Sequence, residues 1–415
     1  MNSGTNYDHH NSDPTLFEPL SMKVAINQIE PIIVHFSGHG VQEDAAIDKS
    51  KEEDVTSLLA NLGSLHQAHG DYSEAIKYNM ALLDACHSTK NRNVEADTLA
   101  NLGALYESLG DYQKAIEYSE RSVSVSCEIG DRQAEGSALG NLGIAYQSLG
   151  QYERAIDFFQ QHLMIAHEIG DRRSEGNAVG NLGITYQSLG QYERAIDFFQ
   201  QHLMIAREIG DRRSEGNAVG NLGITYQSLG QYERAVDFFQ QHLMIAREIG
   251  DRQAEGSALV NLGNSYQYVN QYARSEHLYH EALSLKSKLF GSNHPEVAQA
   301  SNNLAALYSA QGRYNEAEEL YLHVLELRRQ ILGDEHPDVA VSLNNLAALY
   351  NLQGRYKEAE GLYLYALELI RRQIGSNHPG VKITLNNLEK LYESQQIHDE
   401  IARDNNTLDR VDESS

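Results

Sequence analysis

Histidine and cysteine are the residues of this sequence that most readily do chemistry, as metal ligands, bases or nucleophiles. Three His-Pro pairs recur 42 residues apart, beginning at His294, His336 and His378. Residues with such a period lie on successive structural units, at least about 8–10 Å apart, whereas zinc ligands converge to about 2 Å from one ion. We therefore predict no metal site and no cofactor there, and interpret each proline as the first turn of a helix. The tract Asp8-His9-His10 is interpreted as a disordered end.

A second polar series consists of asparagines. Asn-Leu-Gly recurs in steps of 40 residues and continues as Asn-Leu-Ala and Asn-Leu-Glu in steps of 42. The nine positions are Asn61, Asn101, Asn141, Asn181, Asn221, Asn261, Asn303, Asn345 and Asn387. Residues 151–190 and 191–230 differ only at His167 and Arg207, which indicates an internal duplication. The 415 residues are therefore an array of nine units rather than two to four independent globular domains.

Each unit contains two apolar stripes at helical spacing. In the unit around Asn141, one stripe extends from Leu139 to Leu149 and ends at Gly150, and another extends from Tyr152 to Ala166 and ends at Gly170. The aspartate of Gly110-Asp111 is placed to accept from the free amides of the next helix. Neither helix buries its stripe alone, so the pairs must stack on one another.

The residues Leu142-Gly143-x-x-Tyr146 and Gly150-x-Tyr152-x-x-Ala155-x-x-x-Phe159 resemble the tetratricopeptide repeat, and the resemblance covers about residues 53–395. The 40-residue units are similar to those of the Pins/LGN scaffolds. The 42-residue units, with Gly291 to Val297 before Asn302-Asn303-Leu304-Ala305, resemble kinesin light chain repeats. The resemblance implies an all-α, right-handed superhelical solenoid of nine antiparallel helix pairs. Histidines at 162, 202 and 242 occupy the position of the second helix where this family usually has alanine.

In this family ligands lie in a concave groove lined by the first helix of each pair, and the resemblance places the nine asparagines on that face. An asparagine offers one acceptor and two donors, so a row of them is suited to hold an extended peptide backbone. We predict that these asparagines bind peptides, together with Gln147, Gln187 and Gln227 on the same helices. The alternative is that the asparagines only bond the neighbouring repeat. Lysines or arginines of a carboxylate clamp are replaced by Gly140, Gly180 and Gly220, so we predict no clamp.

The segment before the repeats differs in kind. An apolar run over residues 29–34 leads into His35-Phe36-Ser37-Gly38-His39-Gly40, which indicates a buried strand and a glycine turn. It resembles the histidine motif of CHAT and other caspase-like peptidases, and the residues around Cys86 resemble the cysteine motif, which implies a His39/Cys86 dyad. However, Cys86 lies in the second helix of the first repeat, and only about 30 residues precede the histidine motif. We interpret the segment as a truncated CHAT-like module.

Composition restricts the partners. The formal net charge is −25, so phosphate backbones and anionic lipid surfaces are repelled. No stretch approaches the roughly 18 apolar residues of a membrane span, and the polar start carries no secretory signal. Cys86 and Cys127 are too few for a disulfide framework. We expect a cytoplasmic chain whose partners are proteins or peptides, not nucleic acid or membrane.

These observations predict four segments. Residues 1–52 are a poorly ordered start with the CHAT-like motif, 53–294 hold six 40-residue units, 295–395 hold three 42-residue units with a capping helix, and 396–415 form an acidic disordered tail. The predicted function is a non-enzymatic scaffold that binds extended peptides. The alternatives are a CHAT-like cysteine peptidase, remnant or completed by another chain, and a repeat sensor arm that regulates a signalling enzyme.

Overall fold

The computed structural model describes residues 49–375 and 378–412, and side chains from Val55 to Gln396 within them. This part of the chain contains seventeen helices and no strand. The helices are α1 (Lys49–Ala68), α2 (Tyr72–Thr89), α3 (Arg92–Ser108), α4 (Tyr112–Ile129), α5 (Arg132–Ser148), α6 (Tyr152–Ile169), α7 (Arg172–Ser188), α8 (Tyr192–Glu208), α9 (Arg212–Ser228), α10 (Tyr232–Ile249), α11 (Arg252–Tyr268), α12 (Tyr272–Phe290), α13 (Pro295–Ala310), α14 (Tyr314–Leu332), α15 (Pro337–Leu352), α16 (Tyr356–Ile374) and α17 (Pro379–Asp412).

The chain divides into two compact units, Met1–Leu189 with α1–α7 and Gly190–Ser415 with α8–α17. Within each unit, every helix packs against the next one in sequence. Odd-numbered helices are the first helices of the pairs, and they also contact one another. In the first unit α3 contacts α5 and α5 contacts α7, and in the second unit α9 contacts α11, α11 contacts α13 and α15 contacts α17. The predicted all-α repeat architecture is confirmed.

Glycine residues end many of the helices, and aspartate residues cap the starts of several others. After α5, Gly150 adopts a left-handed φ of +71°, and the amide of Gln151 donates to the carbonyl of Tyr146 across the end of the helix. After the first helix of each 40-residue pair a short turn leads directly into the second. At the start of α5, Asp131 accepts from the amide of Ala134 at 3.0 Å. Asp111 likewise accepts from the backbone amide of Lys114, as the sequence predicts.

The glycine of Asn-Leu-Gly makes room for the core. Phe159 of α6 and Phe239 of α10 are completely buried. A Cβ added to Gly223 would lie 2.6 Å from a ring carbon of Phe239, closer than carbon atoms approach without displacement. The small residue therefore lets an aromatic ring of the second helix lie directly on the first helix. Leu149, counted in the predicted stripe, is 42% exposed at the turn, so the buried stripe is narrower than the sequence indicates.

The 42-residue pairs begin with a different cap. Nδ1 of His294 accepts from the amide of Glu296 at 3.2 Å, and Nδ1 of His336 accepts from Asp338 at 3.2 Å, with proline in the first turn. His378 accepts from Gly380 at 3.1 Å. The interpretation of the His-Pro pairs as helix starts is confirmed, and each imidazole satisfies an otherwise unpaired backbone donor.

Arginines connect the pairs at their ends. In the first unit Arg132 contacts Glu135 at the start of α5 and Glu168 at the end of α6, both at 2.5 Å. In the second unit Arg313 contacts Glu276 at 2.9 Å and Glu316 at 2.6 Å, so it joins α12 to α14. The Arg132 guanidinium lowers the pKa of Glu168. These bridges, some exposed and some half-buried, recur with the repeat and connect the ends of successive helices.

The two ends of the chain differ from the repeats. The described residues contain eight helix pairs and one further helix, α17, which takes the place of the predicted capping helix. We predict a disordered tail from residue 396, but α17 continues to Asp412 because no proline or glycine follows Gly380 to end it. The CHAT-like motif with His39, the predicted strand at 29–34 and Asp8-His9-His10 lie outside the described residues.

Candidate peptide-binding surface

The candidate site is the surface formed by the first helices, here called the first-helix face. The amide residues occur at the same place in these helices, because the repeat positions them identically. Asn61 and Asn101 are exposed, whereas the other seven predicted asparagines are half-buried. Gln147, Gln187 and Gln227 are also half-buried, near the ends of α5, α7 and α9. Where successive first helices contact one another, as α3, α5 and α7 do in the first unit and α9, α11 and α13 in the second, these side chains lie at matching places on neighbouring helices.

Part of this amide row bonds the neighbouring repeat. Nδ2 of Asn141 donates to the carbonyl of Ala100 at 3.0 Å, which joins α5 to α3. In the second unit, Asn303 donates to Oδ1 of Asn264 at 3.3 Å. Asn345 donates likewise to Oδ1 of Asn302 at 2.8 Å. Each of these asparagines has a second amide hydrogen and a side-chain oxygen with two lone pairs, so stacking occupies only part of its hydrogen-bonding capacity. Oδ1 of Asn303 also accepts from Nε2 of Gln299 at 3.1 Å.

The glutamines make a second set of bonds between first helices. Nε2 of Gln147 donates to Oγ1 of Thr185 at 3.1 Å, and Nε2 of Gln227 lies 3.5 Å from Oγ of Ser265. The hydroxyl of Thr185 donates onward to the carbonyl of Asn181 at 2.7 Å. The glutamine oxygens consequently point away from these bonds as acceptors. Within each unit, amide and hydroxyl groups of the first-helix face therefore bond neighbouring first helices and also present donors and acceptors.

A cavity of about 600 Å³ opens on this face in the second unit. Its lining combines amide side chains, three tyrosines and small residues and contains no carboxylate, lysine, arginine or histidine. The lining residues are Gln227, Ser228, Tyr232, Asn264, Gln267, Tyr268, Asn270, Tyr272, Asn303, Ala306 and Ala310. They belong to three successive first helices, α9, α11 and α13, to the starts of α10 and α12, and, for Asn270, to the turn between α11 and α12. We call this cavity the junction pocket, because 40-residue pairs meet 42-residue pairs there.

The sequence analysis missed most of the junction pocket. Asn264, Tyr268 and Asn270 stand where the preceding unit has Ile224, Ser228 and Gly230. Asn270 adopts a left-handed φ of +58°, a conformation usually left to glycine. The signal was present in the sequence as a cluster of departures from near-identical repeats. Only the packing of the helices shows that these departures face one cavity.

The histidines of the second helices are packing residues. His162 and His202 are buried and His242 is half-buried. A Cβ at Gly140 would lie 3.0 Å from Nδ1 of His162, and one at Gly220 would lie 3.1 Å from the His242 ring. The glycine on one helix thus creates the space that the imidazole of the other fills. Nδ1 of each ring has no hydrogen-bond partner among the described residues, and burial lowers the pKa of all three histidines.

Cys86 has the environment of a core residue. Its side chain is completely buried in the first pair, packed with Leu59, Leu82 and neighbouring apolar residues. Burial, together with a smaller contribution from the carboxylate of Glu95, raises the pKa of the thiol to about 11. A nucleophilic cysteine requires the opposite shift, toward the thiolate.

The described residues show no group of three or more histidine, cysteine or acidic side chains arranged to hold a metal. Over the same part of the chain, no helix combines the length and apolar character needed to cross a membrane.

The family model of the tetratricopeptide repeat matches residues 54–128, 96–168, 134–208, 174–248, 255–330, 296–364 and 338–404. The chain therefore belongs to the tetratricopeptide repeat family, whose fold is typical of non-enzymatic protein-interaction scaffolds. No curated protein matches the chain in a sequence search.

Solved structures share the fold. One is a Pyrococcus horikoshii signal transduction ATPase with a tetratricopeptide repeat sensor, with 18% identity and a TM-score of 0.59 over 77% of this chain and 49% of that one. Another is a Rap protein complexed with Competence and Sporulation Factor, with 14% identity and a TM-score of 0.50. The match covers 83% of this chain and 99% of the Rap protein. A third is a Podosopora anserina protein described as a kinesin light chain with nearly identical repeats. It is 24% identical, with a TM-score of 0.41, and the match covers 48% of this chain and 95% of that one.

Proposed function

We propose that this protein is a scaffold that binds extended peptide segments of other proteins along the first-helix face and catalyses no reaction itself. One observation carries the proposal: every first helix presents an asparagine at the same place, and the amides retain donors and acceptors beyond those used between repeats. An extended peptide has unpaired backbone N–H and C=O groups at regular intervals, which a regular row of amides can bond.

The energetics favour many weak contacts in series. A single hydrogen bond contributes about 0.5–1.5 kcal/mol net, so one asparagine gives little affinity alone. Repetition of the unit multiplies such contacts along one ligand, and the effective concentration of each next contact is high once the first has formed. The strongly acidic chain adds a long-range preference for neutral or basic segments. The complex of a Rap protein with Competence and Sporulation Factor supports a binding role for this fold.

The peptidase alternative has weaker support. The buried thiol of Cys86, with its pKa raised to about 11, is not activated in the described structure. The sensor alternative uses the same surface, because a sensor arm must also bind its ligand before it can regulate an enzyme. The first-helix face therefore serves both binding interpretations.

A selection with a displayed random dodecapeptide library tests the proposal. The wild-type chain is compared with a variant carrying Asn181→Leu, Asn221→Leu and Asn261→Leu. Asn141 is left intact because its bond to Ala100 also stacks the repeats. We expect peptides selected on the wild type to bind the variant at least about tenfold more weakly, the equivalent of one or two lost hydrogen bonds.

The matched control places the same three leucines elsewhere. Gln161→Leu, Gln201→Leu and Gln241→Leu also replace an amide by leucine, but on the second helices instead of the first. Circular dichroism establishes that both variants remain helical. Equal loss of binding in the two variants, or no loss in either, would contradict a role for the asparagines.

A further inference from the structure

The junction pocket has features that the rest of the amide row lacks. It is bounded by uncharged groups in a chain of net charge −25, and its volume of about 600 Å³ lies within the range of ligand-binding clefts. A charged ligand group would find no counter-ion among the lining residues. The part of a ligand that enters this pocket is therefore neutral.

One wall of the pocket presents oriented amides. The hydroxyl of the fully buried Tyr279 lies 2.6 Å from Oδ1 of Asn264 and 3.3 Å from Oε1 of Gln267. Oδ1 of Asn264 also accepts from Asn303. Since these oxygens are directed at Tyr279, the amide N–H groups of Asn264 and Gln267 are directed elsewhere as donors. The donors are held in place before any ligand arrives, which reduces the entropy lost on binding.

The other wall presents aromatic rings. Tyr232 and Tyr268 stack with their ring centroids 4.3 Å apart and an interplanar angle of 8°. Tyr268 is 61% exposed, although the equivalent residue of the preceding unit is the small Ser228. The hydroxyl of Tyr272 donates to Oδ1 of Asn270 at 2.8 Å, which holds the turn that follows Tyr268. An exposed aromatic ring fixed by a second ring offers a rigid flat surface to a ligand.

Tyrosine rings beside fixed N–H donors match one class of peptide. A run of prolines in the polyproline II conformation has compact, rigid pyrrolidine rings, backbone carbonyls without internal hydrogen bonds, and no charged side chain. Aromatic-lined grooves bind such segments by packing the rings on tyrosines while donors bond the carbonyls. Proline also lacks an N–H group, so the wall needs to supply donors more than acceptors. The amides of Asn264 and Gln267 supply them.

We propose that the junction pocket binds a proline-rich segment in the polyproline II conformation, with prolyl rings on Tyr268 and Tyr232 and carbonyls bonded by Asn264 and Gln267. This inference rests on the proposed peptide-binding function and names the sequence class that one part of the first-helix face selects. It assigns specificity to residues in which the sixth unit departs from the repeat, while the repeated asparagines hold backbone of any sequence.

Octaproline is the probe, and an uncharged Gly-Ser octapeptide of equal length is the reference. Binding to the full chain is measured by isothermal titration calorimetry. We expect octaproline to bind at least about tenfold more tightly than the reference, and Tyr268→Ser to remove that difference. Tyr268→Ser and Asn264→Ile introduce residues that the neighbouring unit carries at these positions. Tyr268→Ser leaves the hydrogen bonds of Tyr279 intact, whereas Asn264→Ile removes one acceptor of its buried hydroxyl and leaves Gln267, so we expect both variants to fold, with Asn264→Ile the less stable. Thermal melts establish that they do.

The outcomes separate this inference from the proposed function. If the random library yields binders and octaproline binds no better than the reference, or equally well to Tyr268→Ser, the polyproline assignment is overturned and the scaffold proposal stands. If neither the library nor octaproline gives binding to the folded chain, the proposed function fails as well. Selected library peptides that contain proline and lose about tenfold in affinity with either variant would support both.

Discussion

At the scale of single residues, the pairing of glycine with histidine across a helix pair shows how this family tolerates a large polar ring. In the sixth unit, the larger Val260 stands at the position of Gly140 and the smaller Ala282 stands at the position of His162. The small and the large partner are therefore exchanged between the two helices. The ring is accommodated sterically, but its Nδ1 has no hydrogen-bond partner among the residues described. Protonation of a buried imidazole whose nitrogen has no partner costs folding free energy, because it places an unpaired charge in the core.

The first prediction is an acid-dependent loss of stability from these histidines. Burial lowers the pKa of His162, His202 and His242, although Asp171 opposes the shift at His162. A histidine with a lower pKa in the folded chain takes up a proton more readily when unfolded, so acid favours unfolding. The free energy of unfolding should therefore decrease as pH falls below about 6.5, the ordinary histidine value.

Chemical denaturation between pH 8 and 5 measures this effect. The control replaces the three histidines with serine. The unit before His162 has serine, Ser122, at the equivalent position. The wild type should lose more stability than the variant over this interval. Parallel curves for the two proteins would show that the imidazoles do not couple protonation to folding.

The second prediction concerns thiol reactivity and bears on the peptidase alternative. Cys86 is buried and Cys127 is exposed, so the chain contains its own comparison. In single-cysteine variants, Cys127 should react with a maleimide in the native state, whereas Cys86 should react only in denaturant. Rapid native labelling of Cys86 that disappears with His39→Ala would instead favour a catalytic dyad.

At the scale of helices, glycines that look alike in sequence have opposite roles. Gly223 lies inside α9 against Phe239, whereas nothing lies within 4 Å of a Cβ at Gly361 inside α16. We expect Gly223→Ala to destabilise the chain by about 1–3 kcal/mol through overpacking. Gly361→Ala should stabilise it by roughly 0.5–1 kcal/mol because alanine is the better helix former. Urea denaturation of both variants measures the contrast, and equal effects would contradict the packing seen here.

Most of the helical architecture is predictable because its determinants are local. The stripe of each helix, the glycine at Gly150 and the aspartate cap at Asp131 all act within a few residues, and the period repeats them. The end of α17 was not predicted, because an acidic composition indicates disorder without excluding a helix. The junction pocket was not predicted either, since Gln227, Asn264 and Asn303 come together only when three first helices pack.

At the scale of the whole molecule, binding should depend on the number of units. Deletion of residues 151–190, and of 151–230, removes one and two periods and keeps the helical pattern in register. Affinity for library-selected peptides without proline should decrease stepwise, by roughly tenfold per period, since contacts in series are lost. Fluorescence anisotropy measures it. Octaproline affinity should stay constant, because Tyr232 and the lining residues from 264 to 310 remain, and Gln147 and Ser148 take the places of Gln227 and Ser228 when residues 151–230 are removed. Unchanged affinity for the other peptides would locate their site elsewhere.

The spacing of the contacts also has an evolutionary consequence. Gly140 and His162 form one matched pair within a helix pair, and Arg132 and Glu168 form another, so both partners of each contact recur with the period. A genetic duplication or loss of 40 residues copies or removes such partners together and leaves no mismatched interface. Unequal recombination among the near-identical units can thus change the length of the array between generations. The sixth unit, with Asn264 and Tyr268, has no equivalent copy and marks a fixed point beside this variable region.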